Sequence, residues 1–157
     1  MNELTLRVKT AIVAALSGVC PLLGWRGVLL CVWVAMMALD WISGSWAAKR
    51  NGEWSSGLAR EGLYHKLAMV IAVAAAVLAD LVIYIAMDEL PVSIDWPVLV
   101  FPLVTMWYIV TEMGSILENV VKMGATVPGW LVNGLAVTKK KLDAAGDEAV
   151  SKLDKEG

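Results

Sequence analysis

The stretch from residue 40 to residue 80, DWISGSWAAKRNGEWSSGLAREGLYHKLAMVIAVAAAVLAD, decides the fold. It holds the end of one apolar block and the body of another, joined by a turn rich in basic and small polar residues. Asp40 closes an apolar run that begins near Gly27, and Asp80 lies two-thirds of the way along the run Leu67 to Met87. Each run approaches the roughly 20 apolar residues with which a helix crosses the hydrocarbon of a bilayer. The stretch therefore reads as a membrane hairpin with a carboxylate in each arm. Intramembrane carboxylates are rare and costly, which makes these two the first functional candidates.

Composition agrees. The chain has 157 residues, 59% hydrophobic and only 18% charged, with a mean hydropathy of +0.67, whereas about a quarter of the residues in soluble domains are charged. The expected fold is an all-α integral membrane protein of three or four spans, with no room for a separate soluble enzyme domain. A formal net charge of -2 gives no reason to expect nucleic acid as a partner. Cys20 and Cys31 both fall in apolar runs and read as buried free thiols. His65, between Tyr64 and Lys66, has no metal-ligand cluster around it, and no phosphate loop or nucleophile-and-base pair stands out. Neither catalysis nor a cofactor is expected.

The hairpin orders the rest of the chain. Lys49, Arg50, Arg60 and Lys66 in the segment 49–66 place that turn in the cytoplasm by the positive-inside rule, and the acidic stretch 88–96, without Lys or Arg, falls outside. The clear spans are about 27–48, 67–87 and 97–121. An N-terminal apolar helix, about 4–23 and interrupted by Pro21, either spans or lies in the interface. Pro128 opens a short interfacial helix over 128–136, completing a membrane domain of residues 1–136. Residues 137–157 form a charged cytoplasmic tail, at most loosely helical, in which Lys139, Lys140 and Lys141 would attract anionic lipid.

Inside the spans, Asp40, Asp80 and Glu112 lie within two turns of mid-membrane, with no Lys or Arg at comparable depth. Each is expected to be protonated or to face water within an assembly. A protonated acid would fasten helices together, whereas a hydrated one would line a pathway, and both readings stand. Thr105, Glu112, Ser115 and Asn119 share one face of their helix. Ala68, Ala72 and Ala76, spaced one turn apart with Asp80, mark a helix-packing face.

Several of these residues also form a recognisable series. Asp40-Trp41-Ile42-Ser43-Gly44, then Ala47-Ala48-Lys49, Ser55-Ser56, Gly62 and Lys66, and later Glu118-Asn119 with Gly124, Pro128 and Leu131, together resemble the phage holins of the toxin-secretion/phage-lysis family. The resemblance covers residues 20 to 135 and does not include Asp80. It implies a protein that accumulates in the bacterial cytoplasmic membrane, associates with copies of itself and opens lesions at a set time. An endolysin, or in some relatives a toxin, then escapes without having to touch it. Asp40, Gly44, Asp80, Glu112, Ser115, Glu118 and Asn119 become candidates for oligomer contacts or a lumen. A small channel or transporter using the same acids is the alternative, and a structural membrane subunit is a third.

Overall fold

The computed structural model describes residues 24–89 and 100–156. They form four helices: α1 (Gly24–Arg50), α2 (Ser56–Glu89), α3 (Val100–Lys122) and α4 (Gly129–Glu156). The expected N-terminal helix over 4–23 and the acidic turn after Glu89 lie outside the described residues.

The helices α1, α2 and α3 are each long and apolar enough to cross a membrane. At 1.5 Å per residue they measure about 40, 51 and 34 Å against a hydrocarbon core of about 30 Å. Their outer surfaces carry exposed large apolar side chains, among them Val28, Leu39 and Ile42 on α1 and Val70, Ile71, Leu78 and Val82 on α2. A helix apolar on all sides suits lipid as its solvent.

Helix α3 is central. It packs along α1 in parallel and against α2 and α4 in antiparallel sense, while α1 and α2 barely touch each other. Where all three spans meet, Trp33, Met69, Val73, Ala76 and Phe101 form the buried core, flanked by Leu30, Met37, Val104 and Tyr108. The buried face of α2 thus runs Met69, Val73, Ala76. Of the three alanines expected to form a packing face, Ala76 is buried, Ala72 half-buried and Ala68 exposed. The face is turned because the larger Met69 and Val73 fill the space against Trp33.

Local chemistry sets the helix ends. Gly52 and Gly124 adopt positive φ (72° and 92°) after α1 and α3. Each ending has the paired backbone bonds of a Schellman motif: Gly52 N to Lys49 O with Glu53 N to Ala48 O, and Gly124 N to Val121 O with Ala125 N to Val120 O. Ser55 caps α2, its Oγ accepting from the Leu58 N–H at 3.1 Å. The serines that read as turn residues therefore start a helix, and α2 begins eleven residues before the apolar run at Leu67.

The C-terminal helix is also longer than patterning indicated. It runs through residue 156 and does not end near 136. Residues 139–153 are mostly good helix formers. Leu131, Leu135, Lys139, Leu142, Ala145, Gly146 and Ala149 face inward at three- and four-residue spacing, giving this stretch a packing stripe that its charge content masks.

Cys31 is disulfide-bonded, which corrects the expectation of a free thiol. Its partner lies outside the described residues. Burial in an apolar run says nothing about which sulfurs meet in space.

Candidate functional site

Three helices each contribute one charged residue ten positions from the helix end that lies on the side of the α1–α2 turn. Asp40 precedes Arg50 by ten residues, Lys66 follows Ser56 by ten, and Glu112 precedes Lys122 by ten. At the helical rise all three sit about 15 Å in from those ends, at one common level of the bundle. The Lys66 ammonium donates to Asp40 Oδ2 at 2.9 Å and to Glu112 Oε2 at 2.7 Å. Side-chain exposure is 14% for Lys66, 17% for Asp40 and 4% for Glu112. This corrects the expectation that no basic residue reaches these acids. The early start of α2 puts Lys66 inside the helix, and its four-carbon stem carries the charge inward.

Asn119 completes the cluster. Its Nδ2 donates to Asp40 Oδ1 at 3.0 Å and to Ser43 Oγ at 3.1 Å, while the Ser43 hydroxyl donates to the Asp40 carbonyl at 3.1 Å. Gly44 provides the room: a Cβ there would stand 3.3 Å from Asn119 Nδ2. Ser115 is half-buried beside the cluster. A cleft of about 550 Å³, lined by Asp40, Gly44, Lys66, Ser115, Asn119 and Lys122, reaches it where α1 and α2 diverge. One cation facing two carboxylates leaves a formal charge of -1. Thr105, on the same helix face, is buried but returns its hydroxyl to the Phe101 carbonyl at 2.7 Å and takes no part.

Asp80 is not part of this cluster. Its Oδ1 accepts from the Val100 N–H at 2.6 Å and its Oδ2 from the Phe101 N–H at 3.2 Å. Those are the first two N–H groups of α3, and the third residue, Pro102, has none to offer. A side chain on α2 thus satisfies the start of α3, where the helix dipole also favours a negative charge.

The second face of α3 meets α4. Trp107 donates its Nε1–H to Asp143 Oδ1 at 2.8 Å, and the Lys139 ammonium lies 4.1 Å from the Trp107 ring centroid. Further along, a Cβ on Gly146 would sit 3.5 Å from Leu103. Lys140, Lys141, Glu148 and Lys152 are exposed on α4 and make no contact with α3, whereas Asp147 borders the crevice that Leu103 and Trp107 line. In lipid each such charge costs about 2.5–3.5 kcal/mol at mid-span, and α4 is not among the helices apolar enough to cross a membrane. Glu118, exposed near the start of this contact, makes no ion pair among the described residues.

The sequence profile of the bacteriophage holin family matches residues 17–140. The chain belongs to this family. The match takes in Asp40, Lys66, Asp80, Glu112, Asn119 and the first part of α4. An uncharacterized protein of Halalkalibacterium halodurans is 31% identical over 147 residues, covering 94% of this chain and 98% of its own length. An uncharacterized protein of Listeria monocytogenes is 33% identical over 135 residues, 86% of each chain, and one of Listeria innocua is 33% identical over 127 residues, 81% of each. No solved structure matches. The chain is thus a holin-family membrane protein, and no group of His, Cys, Asp or Glu among the described residues is arranged to hold a metal ion.

Proposed function

We propose that this holin oligomerises in the bacterial cytoplasmic membrane and, at a set time, opens lesions through which an endolysin escapes to lyse the host. Its partners are membrane lipid and further copies of itself, and the endolysin need not touch it. Membership of the family supports the reading. The geometric observation that carries it is Lys66 held between Asp40 and Glu112 at membrane depth. In the inner half of the bundle the spans are joined by this polar cluster and not by an apolar core, so parting them presents a hydrophilic surface. On this reading Asp40, Gly44, Glu112, Ser115, Glu118 and Asn119 turn toward oligomer contacts or a lumen as helices separate, while Asp80 keeps α3 anchored to α2. The C-terminus of the resting protein is cytoplasmic, with Lys139, Lys140 and Lys141 on anionic lipid, each worth about 1 kcal/mol near the surface.

Induced expression in a bacterium with a co-expressed cytoplasmic endolysin tests this. An abrupt halt in growth with release of the endolysin is expected, and continued growth with the endolysin retained would defeat the proposal. Asp40→Asn and Glu112→Gln should each move the onset of lysis, and Asp80→Asn, which keeps an acceptor at the start of α3, should move it least; an unmoved onset in the first two would remove these acids from the trigger.

One observation favours a second reading. A proton or ion pathway needs a basic partner at the depth of its acids, and Lys66 supplies one. A small channel or transporter of that kind would form a stable oligomer and would conduct ions without halting growth or releasing protein.

A further inference from the structure

We infer that α4 lies along α3 only where water covers its outer side, so that docked α4 forms part of the wall of the lesion. The inference rests on the lesion-forming reading above and names the helix that faces the lumen.

Three observations carry it. First, the α3–α4 contact is specific. Trp107, eight residues into a membrane-spanning helix, has its indole N–H taken by Asp143 and its ring face by Lys139. A Trp N–H in hydrocarbon without such a partner would be unsatisfied. Second, the contact runs deep. Pairing of Trp107 with Lys139 and Asp143, and of Leu103 with Gly146, carries α4 nearly to the α3 N-terminus, the end away from the basic α1–α2 turn. Third, the outer side of α4 is charged over that same length, with Lys140, Lys141 and Glu148 exposed and without a covering helix among the described residues.

A helix with one stripe fitted to a transmembrane partner and the opposite side ionic cannot face acyl chains. In a closed, lipid-surrounded protein α4 therefore leaves α3 for the cytoplasmic surface, where its lysines meet anionic headgroups. In an open assembly it folds back, and its charged side hydrates the lumen.

The test uses the full chain carrying Leu103→Cys and Gly146→Cys, expressed in a bacterium. A short membrane-permeant bis-maleimide is pulsed before and after permeabilisation, and entry of an impermeant dye reports the lesion. Cross-linking between α3 and α4 should rise roughly tenfold with dye entry, as for a minor state made dominant. Equal cross-linking before and after, or dye entry without cross-linking, overturns the inference and leaves the lesion-forming reading standing. If neither this variant nor the unmodified chain ever admits dye, that reading fails and the inference falls with it.

A second variant adds Lys140→Leu, Lys141→Leu and Glu148→Leu to the cysteine pair, making the outer side of α4 compatible with lipid. It should cross-link in intact membranes before any dye enters, a gain of signal that misfolding does not mimic. Cross-linking that still waits for dye entry would show that lipid is not what keeps α4 away, and would overturn the inference.

Discussion

Asp40 and Asp80 sit in consecutive helices of one bundle, each in an apolar run, yet different groups satisfy them. Asp40 has a side-chain partner, the ammonium of Lys66, shared with Glu112 and supported by the Asn119 amide. Asp80 has backbone partners, the first two N–H groups of α3. The difference lies in what can be lost. A side-chain partner moves with its helix and disappears with one substitution, whereas backbone N–H groups remain as long as the helix does. The half of the bundle nearer the α1–α2 turn is therefore held by a contact that can be exchanged, and the other half by one that persists beside the apolar core of Trp33, Met69 and Phe101.

Removing the shared cation breaks this contrast most severely. Lys66→Met leaves two carboxylates facing each other with no counter-charge and should destabilise the protein by about 3–5 kcal/mol, as expected when one partner of a buried pair is deleted. Unfolding in mixed micelles by titration with a denaturing detergent measures it. Replacing the whole triad, Lys66→Met with Asp40→Asn and Glu112→Gln, should recover most of that loss, since a neutral cluster leaves no buried charge unpaired. A single variant as stable as the parent would mean that the ion pair does not hold the half of the bundle nearer the α1–α2 turn.

Next in size is the backbone site. Asp80→Ala strips the cap from α3 and leaves two N–H groups without an acceptor, and should cost about 2 kcal/mol in the same titration. Asp80→Asn should cost less than about 1 kcal/mol, because asparagine caps helices nearly as well as aspartate. Equal losses for the two variants would show that charge, and not hydrogen-bond acceptance, is what α3 requires.

The two sites also differ in how far they could be read from residues alone. The spans, the turn that joins the first two and the acidic and amide face of α3 all followed from hydropathy and helical spacing. Lys66 was visible too, but as a residue of the turn. Its role depends on where α2 begins, which Ser55 decides by capping, and a Ser-Ser-Gly sequence serves a turn and a helix start equally well. Asp80 offered even less: nothing within α2 indicates that its partners are N–H groups on another helix. The continuation of α4 past residue 136 was hidden for a third reason, since its inward stripe of Leu135, Leu142, Gly146 and Ala149 lies among lysines and acids that lower the average hydropathy.

Gly44 sharpens the comparison on a finer scale, because it bears on the side-chain site alone. A methyl group there would stand 3.3 Å from Asn119 Nδ2, tighter than ordinary contact, so Gly44→Ala obliges the amide to shift from Asp40 and Ser43. The expected loss is about 1 kcal/mol, the low end for overpacking. Combined with Asn119→Ala it should add almost nothing further, because the clash and the lost bonds share one group. Full additivity would place the effect of Gly44 elsewhere.

The smallest effect belongs to an ion pair that resembles the Lys66 site in chemistry and opposes it in setting. Lys152 Nζ lies 3.0 Å from Glu148 Oε1 one turn away on α4, with the two side chains 49% and 69% exposed. Water competes for both charges, and two long side chains must be ordered to meet, so such i,i+4 pairs contribute only about 0.3–0.5 kcal/mol. Glu148→Ala should shift the same unfolding transition by no more than that, and the shift should vanish in high salt, where exposed charges are screened. The loss on Lys66→Met should survive the same salt, because its acids lie in a protein and lipid interior that ions do not enter. Were both losses to vanish together, the cleft between α1 and α2 would have to admit bulk electrolyte as far as Asp40, and that half of the bundle would already be open to water at rest.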